Sequence, residues 1–168
     1  MEDTFDLTQT VNGKKYTPPS PYSAHQEAAR NAYDELQDVV RKEKLGKMYF
    51  APLDVYLDDA ANIVQPDLFF IRTENLKIVQ DFVRGVPDLV VEIISRGSYR
   101  MDNFTKKELY AKFGVKEYWL INPLTGYIEI FALNENGEYY QHSFGENGET
   151  VTSKLLNDLT FKVDDIIQ

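Results

Sequence analysis

Residues 86–95, Val-Pro-Asp-Leu-Val-Val-Glu-Ile-Ile-Ser, constrain the fold of this chain more than any other stretch. Leu89, Val90, Val91, Ile93 and Ile94 are apolar at successive rather than alternate positions, the pattern of a strand buried on both faces. Such a strand needs a layer packed on each side of it. Glu92 stands inside the run, and a buried carboxylate is costly unless a cation or hydrogen-bond donors compensate it. Two partners are open to it: a core Arg or Lys, or a metal ion shared with a second carboxylate.

The surrounding sequence supplies the layers. Ala28, Ala32, Leu36 and Val39 recur at helical spacing and predict a helix over about His25–Lys44, closed by Gly46. Strands are expected in "KMYFAPLDVYLD" and "VQPDLFFIR", before the strand that holds Glu92. "DNFTKKELYAKFG" predicts a second helix, capped by Asp102 or Asn103 and ended by Gly114. "EYWLINP" and "YIEIFALN" read as strands around the turn "NPLTG", with "NENGEYYQHSF" continuing as a hairpin. Tyr118 and Trp119 are neighbours on one strand, so one is expected in the core and the other outward, with the core the default for Trp119. The chain has no internal repeat or linker, and residues 1–168 are expected to form one domain: α+β, with one mixed sheet flanked by helices.

Composition removes several classes of function. Zero cysteines exclude disulfides and thiolate metal sites and suit a cytoplasmic protein. No apolar run approaches the ~20 residues of a membrane span, and the acidic opening "MEDTFDLTQT" does not read as a secretory leader. A net charge of −9 argues against passive coating of nucleic acid. The charge is uneven, however. Residues 95–117 hold six Lys or Arg against three Asp or Glu, directly after the Glu92 strand. That basic segment is either a solvated helix face or a phosphate-attracting patch beside an acidic cluster.

Asp54, Asp67, Asp88 and Glu92 all fall in or beside predicted strands. Asp88 and Glu92, four apart, share a face about 13 Å apart along the strand, so Asp88 marks its start. Asp54 and Asp88 read as strand-end or turn carboxylates, although Asp54 and Asp67 could also lie on neighbouring strands. Asp67 and Glu92 could converge on a hard divalent cation, which takes oxygen ligands and keeps several waters. His25 and His142 are the only histidines. His25 is a capping or packing residue unless it reaches the same cleft, and His142 carries no signal. There is no P-loop, dinucleotide fingerprint, H-x-x-x-H pair or G-x-S-x-G elbow.

Four elements in order, "VQPDLFFI", "PDLVVEIIS", "D-x3-K-x3-Y" and "FGVKEYWLINP", resemble the Uma2 branch of the PD-(D/E)XK nuclease superfamily, over about Tyr16 to Leu133. The resemblance implies a restriction-endonuclease-like core and a metal-dependent endonuclease acting on DNA. It makes Asp67 and Glu92 the metal-binding acids of a Mg²⁺ or Mn²⁺ site, with the Ile93 carbonyl as a third ligand. The motif's lysine would fall at Ile94, and Lys106 from the following helix takes its place, with Lys107 as the fallback. Relatives carry an acidic residue in an N-terminal Y-E-x-x-D-G element where this chain has "TQTVNG", with Gln9 and Asn12. "SRGS" replaces the usual Ser-Pro-Ser, and "WLINP" replaces "WLVDP". A homodimer is expected, using exposed C-terminal aromatics such as Tyr139, Tyr140 and Phe144. Two alternatives remain open: an inactive module of the same fold that binds nucleic acid or protein, and an interaction partner whose acidic surface mimics nucleic acid.

Overall fold

The structure is a computed structural model that describes residues 7–157 and 159–168. Residues 1–6, part of the stretch read as no leader, lie outside the described residues. The chain begins with a hairpin of β1 (Gln9–Val11) and β2 (Lys14–Tyr16), followed by helix α1 (Ser23–Lys42). Strands β3 (Gly46–Phe50), β4 (Val55–Tyr56), β5 (Ile63–Val64) and β6 (Leu68–Arg72) come next, then a 3-10 turn at Thr73–Ile78. After β7 (Val83–Arg84) and β8 (Leu89–Ile93), a π-helical turn at Met101–Lys106 runs into α2 (Lys107–Phe113). Strands β9 (Glu117–Asn122), β10 (Tyr127–Leu133) and β11 (Tyr139–Glu146) form a meander. The chain ends with the hairpin β12 (Thr150–Ser153) and β13 (Leu159–Lys162) and the short helix α3 (Val163–Ile166).

The α+β class is as expected, but the strands form three sheets rather than one. The central sheet is six-stranded and mixed, in the order β11-β10-β9-β8-β6-β3. Only β8 and β9 run parallel within it, and their connection carries α2, the crossover that a parallel pair requires. A five-stranded sheet, β2-β1-β5-β4-β7, and the β12-β13 pair complete the fold.

Proline explains the divided strands. "KMYFAPLDVYLD" leaves the central sheet after Phe50, and Pro52, which has no N–H for a ladder, precedes the crossing to β4 in the second sheet. Likewise Pro66 separates β5 from β6 within "VQPDLFFIR". Asp54 therefore sits just before β4, in a different sheet from β6, and accepts a hydrogen bond from Gln65 at 2.8 Å.

Every residue of β8 is buried, as its apolar run requires, and the two faces of the sheet carry different cores. Leu89, Val91 and Ile93 pack with Ala28, Ala32, Leu36 and Val40 of α1. Val90 and Ile94 pack with Leu109 and Tyr110 of α2. Glu92, in step with Val90 and Ile94, shares the α2 side. Tyr118 and Trp119 alternate between these faces, yet both are fully buried. The outward position expected for one of them does not exist, because Tyr118 packs against Tyr110 of α2 on one side of β9 and Trp119 against Phe161 of the β12–β13 hairpin on the other.

Turn chemistry also differs in part from expectation. Helix α1 begins at Ser23 and ends at Lys42, and it is Lys44, with φ 54°, that takes the left-handed conformation after it. Gly46 opens β3 instead, where a Cβ would lie 2.0 Å from the Ile71 carbonyl oxygen. Gly114 does end α2, left-handed at φ 85°. Asp102 and Asn103 cap nothing; both lie inside the π-helical turn.

Candidate active site

The antiparallel register of β6 and β8 pairs Leu68 with Val91, so Asp67, one residue before β6, lies opposite Glu92. A hydrogen bond fixes the relationship: the Ile93 N–H donates to Asp67 Oδ2 at 2.8 Å. Asp67, Glu92 and Ile93 line one pocket of about 220 Å³, with Lys106 and Asp102 in the same wall. Gln9 and Tyr16 of the β1–β2 hairpin and Pro18, Pro19 and Pro21 of the loop that precedes α1 also line it.

Glu92 has two neighbours that answer its burial. Lys106 Nζ donates to Glu92 Oε1 at 3.0 Å, and the Tyr110 hydroxyl donates to the same oxygen at 2.6 Å. Lys106 Nζ also lies 3.5 Å from Asp102 Oδ1. Lys106 and Tyr110 are four apart, on the helical face that meets the sheet, whereas Lys107 points away with its Nζ 3.6 Å over the Phe131 ring. Lys106 is thus the lysine brought to the acids. Ile94, at the position of the motif's own lysine, is buried in the core.

His25 also reaches the site. From the first turn of α1 its Nε2 approaches Asp67 Oδ2 to 3.2 Å. Burial lowers the imidazole's affinity for a proton, but the Asp67 hydrogen bond and charge, with Glu92 and Asp102 behind them, outweigh that and raise its pKa. Burial pushes the Glu92 carboxyl up to about 8; Lys106 opposes the shift, and the charges of Asp102 and Asp67 add to it. The same carboxylates raise the Lys106 ammonium against its own desolvation. Burial raises Asp102 as well, with Lys106 opposing. Three carboxyls therefore face one lysine and one histidine.

Asp102, Tyr110, Gln9 and Tyr16 were not singled out from the sequence as site residues. The i,i+4 spacing of Asp102 and Lys106 was a usable signal, since that spacing joins side chains along a helix. Gln9 was marked only as standing where relatives carry an acidic residue, and Tyr16 carried no signal, because both arrive from a separate sheet. Asp88 is a strand-start carboxylate as expected, accepting from the Arg72 N–H and the Asn75 amide, both at 2.8 Å. His142 lies on β11, outside the site.

The donor set suits a hard cation in part. No group of three or more His, Cys, Asp or Glu side chains among the described residues is arranged to hold a metal ion. Two carboxylates and a carbonyl are the alternative, with water completing the shell. The contacts above use Asp67 Oδ2 and Glu92 Oε1, so Asp67 Oδ1 and Glu92 Oε2 stand outside them.

A mixed sheet between helices, with acids on neighbouring strands and a lysine delivered by the crossover helix, defines a protein of the restriction-endonuclease-like class. The chain belongs to the Uma2 family, described as "Putative restriction endonuclease", whose profile matches residues 3–164. It is similar in fold to a crystal structure of "a putative nuclease" from Anabaena variabilis, with a TM-score of 0.77 and 16% identity. That match covers 95% of this chain and 88% of the other. No curated protein matches the sequence. Among the described residues, no helix is long and apolar enough to cross a membrane.

Proposed function

We propose that this protein is a metal-dependent endonuclease that hydrolyses phosphodiester bonds of DNA. The observation that carries the reading is the convergence of Asp67, Glu92 and Lys106 on one pocket, with Lys106 Nζ 3.0 Å from Glu92. Asp67 and Glu92, with the Ile93 carbonyl, would hold Mg²⁺ or Mn²⁺. When bound, such an ion lowers the pKa of a coordinated water and withdraws charge from a phosphate oxygen.

The chain's own residues do the rest. With a divalent cation held by Asp67 and Glu92, the Lys106 ammonium would be available to the phosphate, where it would stabilise charge that develops as the bond breaks. Asp102, 3.5 Å from Nζ, keeps the lysine protonated and aimed. His25 holds Asp67 in its rotamer from the other side. The exposed Tyr140 and Phe144 on β11 are the surface through which a homodimer would form, and light scattering at high protein concentration tests it.

Supercoiled DNA incubated with Mg²⁺ or Mn²⁺ provides the direct test. Nicked and linear products are expected with metal and not with EDTA, and they should vanish in Asp67→Asn and Glu92→Gln. Cleavage that survives Glu92→Gln unchanged would sink the mechanism. DNA binding without cleavage under any divalent ion would leave an inactive module of the same fold.

A further inference from the structure

The acids and the lysine lie on the floor of a pocket, and this bears on what can reach them. Glu92 and Lys106 side chains are 3% and 4% exposed, and Asp67 22%. Gln9 and Tyr16 of the β1–β2 hairpin overhang them, with Pro18, Pro19 and Pro21 along the loop to α1. A duplex is a stiff rod with a persistence length of about 50 nm, and its phosphates enter only a cleft open along its length. A single strand can bend one nucleotide inward.

Polar atoms in the pocket wall point to a hydrogen-bonding occupant. Gln9 Oε1, Tyr16 Oη and His25 Nδ1 are buried and have no hydrogen-bond partner among the described residues. Gln9 is 3% exposed overall. Leaving such groups unmatched is costly, and an entering sugar-phosphate with its waters would satisfy them.

The segments that flank the pocket in sequence carry aromatic rings and cations together. Tyr22, 56% exposed, stands three residues before His25, and the Arg96 guanidinium lies 5.5 Å from its ring centroid. Arg96 follows Ser95, a residue of the pocket wall. Tyr99 and Phe104, also exposed, meet edge to face at 6.3 Å around the turn that delivers Asp102 and Lys106. Exposed rings beside arginines are the platform on which unpaired bases stack, and duplex bases present no face to them. The −9 net charge disfavours a duplex, the denser polyanion, while the local basic segment still attracts a single strand.

We propose that the site takes single-stranded DNA: one backbone phosphate enters the pocket, and flanking bases stack on Tyr22–Arg96 and on Tyr99–Phe104. The choice of substrate rests on the nuclease reading for its chemistry but not for its binding. The test is fluorescence anisotropy of a labelled 20-nucleotide single strand and its duplex, with Ca²⁺ and again with EDTA, alongside Mg²⁺-dependent cleavage of both. The single strand should bind about tenfold or more tighter and be cut preferentially. Tyr22→Ala and Arg96→Ala should each weaken single-strand binding by about tenfold, raising KM with kcat little changed, while Tyr22→Trp retains binding and Phe82→Ala, at an exposed ring outside the pocket, matches wild type. Equal or tighter duplex binding, or wild-type binding by Tyr22→Ala and Arg96→Ala, overturns the proposal. Preferred cleavage of duplex would overturn it and leave the nuclease reading standing. Tight, Tyr22-dependent single-strand binding with no cleavage would support it and remove the nuclease reading.

Discussion

Lys106 Nζ lies 3.0 Å from Glu92 Oε1, and both side chains are almost wholly shielded from water. The pair crosses from the crossover helix to the central strand, so it joins the electrostatics of the pocket to the packing of the fold. Its removal has consequences for stability as well as for turnover.

Lys106→Met leaves Glu92 and Asp102 buried without their cation. The expected loss is about 3–5 kcal/mol in urea unfolding near pH 8. Glu92→Gln alone should cost less, because Lys106 keeps Asp102 at 3.5 Å. The double variant should recover part of the Lys106→Met loss. Strictly additive losses would show that the two side chains do not act as a pair.

Lys107→Ala tests the assignment of the neighbouring lysine. Its Nζ sits 3.6 Å over the Phe131 ring, outside the pocket. The variant should lose about 0.5–1 kcal/mol of stability and keep its cleavage rate, whereas Lys106→Ala should lose turnover. Equal loss of activity in the two would contradict the geometry.

Acidity should stabilise the metal-free protein across the neutral range. The Glu92 carboxyl ordinarily titrates at 4.5 and is pushed up to about 8 when folded. Between those values the native state binds more protons than the unfolded chain, so stability falls as pH rises. His25, raised above 6.5 in the fold, adds in the same sense: its ion pair with Asp67 is fully present below 6.5 and lost as pH climbs through the higher folded value. Melting temperature in EDTA should therefore decline from pH 5 to 8, with a flatter profile in Glu92→Gln. A melting temperature that climbs between pH 6 and 8 would contradict both shifts.

Glu117 offers a control far from the chemistry. Its carboxylate accepts from Trp119 Nε1 and Ser153 Oγ, both at 2.6 Å, and from the Leu155 N–H at 2.8 Å, tying β9 to the C-terminal hairpin. Glu117→Ala orphans two buried donors and a half-buried one and should cost roughly 3 kcal/mol. The folded fraction should keep wild-type kcat below the unfolding transition, measured by single-turnover cleavage. A selective loss of kcat would place Glu117 in the machinery.

Local pattern was enough for the parts of this protein whose cause is local. The unbroken apolar run at 89–94 determined a strand covered on both faces, and the spacing of Ala28, Ala32 and Leu36 determined which side of α1 covers one of them. The spacing of Lys106 and Tyr110 determined that both face the sheet. What tertiary structure decided is which of these features meet. Strand order puts Asp67 against the Ile93 amide, the start of α1 brings His25 to Asp67, and a second sheet hangs Gln9 and Tyr16 over the pocket. Asp102, read as a candidate helix cap, became a buried partner of Lys106 because the chain enters α2 through a π-helical turn. Tyr118 and Trp119 are both buried for a related reason: an alternating strand has an outward face only if nothing packs there. Periodicity reports the face a side chain takes on its own element, whereas sheet order and crossover path decide what that face meets.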